Sequence, residues 1–175
     1  MSHTLQTPML QSCPPDLESR AATGRDPDVR LWLRLLTCCH LIEGEIRSRL
    51  RTEYETTLPR FGLMAQLLNA PSGMKMSEIS RRMMVTNGNI TGITDQLEKE
   101  GLVERAKIPR DRRSSLIKLT AKGRRNFNKM AHSHEQWIHA LFGNLPETSH
   151  NALFEALGDL KQACSMPATS AKAEK

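Results

Sequence analysis

Apolar residues recur at helical spacing along most of this chain. Between Asp28 and about Glu55 they form one long stripe, whose members are Leu31, Leu35, Cys38, Cys39, Ile42, Ile46 and Leu50. This period of 3.6 residues predicts a long amphipathic helix with more apolar surface than one small domain needs. Pro59 then stands at a first-turn position, and the apolar group from Phe61 to Leu68 predicts a short second helix.

Two further helical patterns follow almost back to back. The first is marked by Met76, Ile79 and Met83, and the second by Ile90, Ile93 and Leu97. The hydroxyl of Thr86 can cap the second helix, and Gly101 is placed to end it in a left-handed conformation. Two short helices joined in this way predict a helix-turn-helix.

A basic hairpin and two more helices complete the pattern. Residues 102–107 and 115–119 read as short strands joined by a loop at 108–114. Thr120 is a suitable N-cap for a helix through about Leu141, and Pro146 opens another through about Ala163. Residues 1–27 and 164–175 show no sustained period, which predicts a flexible arm and a disordered tail. The predicted fold class is therefore mainly α with a small β-wing, a winged helix-turn-helix.

The positive charge is concentrated in one segment. From Lys75 to Arg125 there are 13 Lys or Arg against 6 Asp or Glu, whereas the rest of the chain has 12 against 13. A basic segment on a nearly neutral body indicates a surface for a polyanion, and double-stranded DNA is the polyanion that a helix-turn-helix binds.

Several other classes of protein are disfavoured. No run of about 18 apolar residues exists and the first residues lack an export leader, so we expect a cytoplasmic protein without membrane contact. Cys13, Cys38, Cys39 and Cys164 have no metal-binding or CxxC spacing, so free thiols are the simplest interpretation and a thiol-based redox sensor an alternative. We expect no cofactor and no metal.

An enzymatic interpretation rests on one fragment. His134-Glu135 begins like the HExxH zinc-protease motif, but Ile138 stands where the second histidine is needed. His139 follows one residue later, about 140° around the helix from His134, on the wrong face for a shared metal. We therefore predict that the protein is not an enzyme.

The chain resembles the MarR (multiple antibiotic resistance regulator) family of winged-helix transcription factors. The resemblance is carried by Ser77-Glu78-Ile79, residues 89–98, Glu100-Gly101-Leu102-Val103, and the string Asp111-Arg112-Arg113, Leu116, Leu119-Thr120 and Gly123. It implies a homodimer in which residues 28–57 and 121–163 are dimerisation helices and residues 58–120 form the DNA-binding lobe. Ser80 and Met84 depart from the Ala and Gly that are usual in the family.

The recognition helix implied by the resemblance is Thr86 to Glu100. Its candidate DNA-binding residues are Thr86, Asn87, Gly88, Asn89 and Thr91, because Asn can donate to and accept from an adenine edge and Gly allows close approach. In the wing, Arg110, Arg112 and Arg113 are candidates for the minor groove and phosphates, with Asp111 orienting an arginine. The alternatives are a poorly formed helix start and a solvated charged turn.

The resemblance also implies a small-molecule effector. Family members commonly respond to small aromatic acids or their thioesters, and residues 87–92 are similar to the branch that senses hydroxycinnamoyl-CoA-type thioesters. The candidate ligand-binding residues are Trp32, Leu36, His40, Met64, Leu67, Arg124 and Phe127, for which ordinary packing is the alternative. The predicted function is a homodimeric repressor that an aromatic acid or acyl-CoA effector releases from a pseudo-palindromic operator. A protein-interaction module that does not bind DNA remains another possibility.

Overall fold

The computed structural model describes residues 26–108 and 111–165, and within these it leaves the side chains of residues 107–114 undescribed. The predicted arm therefore lies outside the described residues up to residue 25, as does the predicted tail from residue 166. The chain divides into two compact units, which meet in sequence between Gly62 and Leu63.

The first unit is dominated by one long helix. Helix α1, Pro27–Tyr54, begins one residue earlier than predicted because Asp26 caps it, its carboxylate accepting a hydrogen bond from the backbone N–H of Asp28 at 2.8 Å. Its end is set by Glu55, whose φ of 50° is left-handed. Ile46 and Leu50 are buried, so the C-terminal half of the predicted stripe is covered. Helix α2, Leu58–Leu68, follows and crosses into the second unit.

The second unit contains the predicted helix-turn-helix. Strand β1, Met74–Lys75, leads into helix α3, Met76–Met83, and helix α4, Asn87–Lys99. Strands β2, Val103–Ile108, and β3, Asp111–Leu119, form the hairpin, and helices α5, Ala121–Phe142, and α6, Glu147–Ser165, complete the chain. The predicted fold class, mainly α with a small β-wing, is confirmed.

The three strands form an antiparallel sheet in the order β1-β3-β2. Met74 pairs with Ile117 and Val103 with Leu119. Strand β1 was not predicted, because a strand of two residues is too short to show an alternating pattern of apolar and polar positions. The predicted loop at 108–114 was too long, since the strands include Ile108 and Asp111–Ser114 and a register shift at Lys107/Ile108 absorbs the mismatch. Helix α6 likewise runs two residues past the predicted end, so Cys164 and Ser165 are helical rather than part of a tail.

The core of this unit is built by the apolar faces predicted from the sequence. Ile79, Ile90, Leu97 and Ile117 are all fully buried. Ile93 is only half-buried, whereas its neighbour Thr94 is fully buried although it is polar. Of the described helices, none is both long and apolar enough to cross a bilayer.

A small hydrogen-bonded group connects the end of α4 to the start of α5. It involves the Leu119-Thr120 and Gly123 positions that carried the resemblance. The Thr120 hydroxyl donates to the Gly101 carbonyl at 2.7 Å and accepts from the Gly123 N–H at 3.0 Å. A Cβ on Gly123 would lie 1.9 Å from the Leu102 carbonyl oxygen, so only glycine fits there. These residues therefore fix the base of the wing against α4 and α5.

Candidate nucleic-acid interface

The turn between α3 and α4 is closed by a side chain. Met84 ends α3 with a φ of 55° and is 93% exposed. The Ser80 hydroxyl donates to the Val85 carbonyl at 2.5 Å, and the Val85 N–H donates to the Ser80 carbonyl at 3.2 Å. Ser80 and Met84, the two departures from the family pattern, thus belong to the same turn. Ser80 holds it by hydrogen bonds, and Met84 is its left-handed residue.

Helix α4 starts as predicted. The Thr86 hydroxyl accepts a hydrogen bond from the Asn89 N–H at 3.4 Å, and the last turn is followed by Gly101 with a φ of 70°. Thr86 is itself exposed. The N-terminal turn of the helix is therefore capped and its backbone N–H groups point to the exposed end.

The predicted base-reading residues are exposed together at the N-terminal end of α4. Asn87, Gly88, Asn89 and Thr91 are all exposed. The Thr91 hydroxyl donates to the Asn87 carbonyl at 3.0 Å. A Cβ built on Gly88 would have no heavy atom within 4 Å among the described residues, so no contact in that part of the chain requires glycine at this position. Close approach of an external partner remains a reason for it.

Acidic residues lie further toward the C-terminal end of α4. Asp95 and Glu98 both form ion pairs with Arg105 on β2, the Glu98 pair at 3.4 Å. The pair of Asp95 and Arg105 could not be predicted from a local sequence pattern, because it joins residues ten positions apart through the tertiary fold.

Helix α3 adds two exposed arginines that sequence analysis did not single out. Glu78 pairs with Arg81 and with Arg82, each at 2.8 Å. The guanidinium groups lie one turn from the helix-turn-helix corner, with the Arg81 side chain 75% exposed. Only their charge pattern, Glu followed by Arg three and four residues later, could have indicated them from sequence.

The wing residues are described only in part. Asp111, Arg112 and Arg113 belong to strand β3, and Asp111 pairs in register with Ile108. Their side chains, and all of Arg110, lie outside the described residues. The assignment of the arginines to DNA and of Asp111 as an orienter therefore stays a prediction.

The predicted effector-binding residues divide between the two units. In the first unit, Trp32 and His40 are exposed and Leu36 is half-buried. In the second unit, Met64, Leu67 and Phe127 are buried, and Arg124 is exposed. Whether any of them binds a ligand stays a prediction.

A separate groove of about 580 Å³ lies between α5 and α6. It is lined by His134, Glu135, Ile138, His139, Phe142, His150, Leu153, Phe154 and Leu157. Burial lowers the pKa of His134, whose ring also packs edge-on against Trp137 at a centroid distance of 6.4 Å. Of these histidines, His134 and His139 were considered from the sequence only as an incomplete zinc motif. Within the described residues no cluster of three or more His, Cys, Asp or Glu side chains suits a metal.

Comparison with known proteins gives a consistent set of matches. Residues 56–115 match the model of the MarR family. The transcriptional activatory protein BadR of Rhodopseudomonas palustris is 28% identical over 136 residues, which cover 73% of this chain and 75% of BadR. The transcriptional repressor YetL of Bacillus subtilis is 28% identical over 108 residues, covering 61% of this chain and 65% of YetL.

The fold is shared with a regulator that has been solved in complex with DNA. Sco3205, a MarR family transcriptional regulator from Streptomyces coelicolor, superposes with a TM-score of 0.71 at 20% identity, covering 86% of this chain and 95% of Sco3205. The relatives are regulators rather than enzymes, in agreement with the sequence-based prediction. Residues 56–115 therefore match the MarR family model, the curated relatives named here are transcriptional regulators, and the fold is the winged-helix fold of MarR family structures.

Proposed function

We propose that this protein is a homodimeric regulator that reads a pseudo-palindromic operator with Asn87, Gly88, Asn89 and Thr91. The observation that carries the proposal is the common exposure of these four residues on one capped helix start. Small polar and glycine residues there let a helix enter the major groove, where amide and hydroxyl groups distinguish base edges. Thr86 borders this surface, and Arg110, Arg112 and Arg113 extend it to phosphates or the minor groove.

The homodimer is supported by helix α6. This helix has 19 residues and none of those described is buried. Phe154 is 71% exposed, and Leu153 and Leu157 lie beside it in the groove against α5. A helix with such an apolar face gains its stability from packing, so an external surface must cover it. We assign that surface to a second copy of this chain, in which residues 28–57 and 121–163 supply the dimerisation helices.

Dimerisation is tested with one exposed apolar residue and a matched control. Phe154→Glu should shift the mass measured by light scattering from dimer to monomer at micromolar concentration, because it places a charge in the apolar face. Met84→Glu puts the same charge on another highly exposed apolar residue, and it should leave the mass unchanged. An unchanged mass for Phe154→Glu would refute this interface.

DNA binding is tested by selecting duplexes from a randomised library with the full chain. We expect a pseudo-palindrome whose half-sites are about one helical turn apart. With about 6–10 phosphate contacts, affinity should fall about 10³- to 10⁵-fold between 50 and 200 mM salt. A flat salt profile would favour the protein-interaction module instead.

Two substitutions separate base reading from phosphate binding. Asn89→Ala should change the preference among bases in the selected site, whereas Arg113→Ala should weaken binding on all sequences. Arg51→Ala removes the same charge from an exposed site outside the basic segment, and it should have little effect. Equal losses on every sequence for Asn89→Ala and Arg113→Ala would contradict the division.

We propose a small aromatic acid or its CoA thioester as the effector that releases the protein as a repressor. Support comes from the resemblance and from the residue types, since Arg124 could hold a carboxylate or phosphate beside the aromatic and Met surface of Phe127 and Met64. Trp32, Leu36, His40 and Leu67 complete the candidate lining. A thermal-shift screen of aromatic acids and their thioesters, followed by operator binding with each hit, tests this. Hits that leave operator affinity unchanged would contradict release by a shift in population.

A thiol-based redox sensor is the second candidate. It is favoured by the exposure of Cys38, Cys39 and Cys164, because oxidants reach exposed thiols first. Peroxide should then weaken operator binding in the native chain but not in a Cys38→Ser/Cys39→Ser/Cys164→Ser variant. Equal sensitivity of both proteins would remove this candidate.

A further inference from the structure

Two carboxylates lie on the recognition helix, in line with its base-reading residues. Asn87, Thr91, Asp95 and Glu98 follow one another at spacings of four, four and three residues, so they share one stripe of α4. Asp95 is only about 12 Å along the helix axis from Asn87. Uncompensated carboxylates on this stripe would repel the phosphates of a duplex that approaches the base-reading residues, most strongly at low salt.

One arginine faces both carboxylates from the neighbouring strand. Arg105 lies two residues after the buried Val103 on β2, so it is on the strand face that is directed toward α4. One of its terminal nitrogens contacts the Asp95 carboxylate, and the other lies 3.4 Å from the Glu98 carboxylate. Glu104, between Val103 and Arg105, is on the opposite strand face, where it pairs with Lys118 at 3.0 Å.

We propose that Arg105 is a positioning residue for DNA binding, which neutralises Asp95 and Glu98 so that the recognition helix can approach the duplex. The inference rests on the DNA-binding function proposed above. It does not require Arg105 to contact DNA, because its guanidinium is already occupied by two carboxylates. The contribution of these pairs to folding is small, because ion pairs with partly exposed side chains add little to stability.

The test uses charge neutralisation in two steps on the duplex selected by the native chain. Arg105→Gln leaves two unpaired carboxylates, and it should lower affinity about tenfold or more at 100 mM salt. The triple variant Asp95→Asn/Glu98→Gln/Arg105→Gln removes all three charges, with isosteric replacements for the two carboxylates, and it should recover affinity to within about threefold of the native value. A merely structural ion-pair network would not give this recovery, because the triple variant also lacks every ion pair.

A matched control and an independent variant accompany the test. Glu104→Gln/Lys118→Met removes a cross-strand pair on the other face of the hairpin, and its affinity should stay close to native. Asp95→Asn/Glu98→Gln keeps Arg105 and frees its charge, so it should bind more tightly than the native chain, and it decides the question if Arg105→Gln does not fold. Urea unfolding of each variant reports whether it is folded.

The outcomes are distinct. Loss for Arg105→Gln without recovery in the triple variant would overturn the proposal in favour of a direct phosphate contact. No loss for Arg105→Gln, or no gain for Asp95→Asn/Glu98→Gln, would overturn it outright. If the native chain binds no duplex, the proposed function itself fails, and the inference fails with it.

Discussion

Replacing Met84 by glycine should stabilise this protein, although it removes a large apolar side chain. Met84 has a φ of 55° at the corner of the helix-turn-helix, and its side chain is 93% exposed. Almost no packing is therefore lost on substitution. What changes is the backbone conformation, because a residue with a Cβ is strained in the left-handed region and glycine is not.

The expected gain is the difference between two terms. The left-handed conformation costs a non-glycine residue about 1–2 kcal/mol. Glycine also loses more conformational freedom on folding, and this loss destabilises the variant by about 0.5–1 kcal/mol. The net stabilisation of Met84→Gly is then about 0.5–1 kcal/mol, or an increase in Tm of about 1–4 °C for a chain of this size.

Urea unfolding at fixed protein concentration measures this difference through the midpoint at constant m-value. Glu55 is the matched control, because it is the other described non-glycine residue with positive φ, at 50°, and it is also exposed. Glu55→Gly should give a gain of similar size. A loss of stability for Met84→Gly, with a gain for Glu55→Gly, would show that the Met84 side chain has a stabilising contact and would refute the strain argument.

Three further substitutions test other parts of the second unit. Gly123→Ala should lower the free energy of unfolding in urea by about 3 kcal/mol or more, since its Cβ would overlap the Leu102 carbonyl oxygen at 1.9 Å. Gly158→Ala is the control: its Cβ would meet no atom of the described residues within 4 Å, and it should not be destabilising. Thr94→Val should raise the free energy of unfolding by about 1 kcal/mol, because the buried Thr94 hydroxyl has no hydrogen-bond partner among the described residues; a decrease would indicate a bound water. Burial lowers the pKa of His134 from its ordinary 6.5, so the unfolded chain takes up the proton first, and stability should be complete above about pH 6.5 and fall as the pH drops below it. His134→Gln should reduce the change in the urea midpoint between pH 7.5 and 5.5. If the midpoint of this variant changes with pH as much as that of the native chain, His134 is excluded as a source of the pH dependence.

The parts of the fold that the sequence predicted correctly are those set by local chemistry. Helix α4 begins at the Thr86 cap and is followed by Gly101 because both signals act within a few residues of the helix ends. Ile90 and Leu97 were predicted inward from the helical period, and both are fully buried. These features need no knowledge of what α4 packs against.

The features that were missed depend on distant partners. Strand β1 exists because Met74 and Lys75 pair with Ile117 and Leu116, more than 40 positions away. Arg105 looked like one more basic residue of the hairpin, and only the fold brings it to Asp95 and Glu98. Ser80 stood out in the sequence only as a departure from the family's usual Ala, whereas its hydroxyl closes the turn at Val85. In each case the sequence shows both residues, but it does not show that the fold brings them together.

The residues that carried the family resemblance differ from the residues that we propose to read DNA. Thr120 and Gly123, which carried the resemblance, hydrogen-bond to each other and hold the chain at Gly101 and Leu102. They position the wing against the recognition helix, and they contain nothing that would select a base. Any regulator with this fold can keep them while its operator changes. In the function proposed above, selectivity for one operator therefore depends on residues outside this structural set, above all Asn87 and Asn89, which are exposed and do not belong to the core.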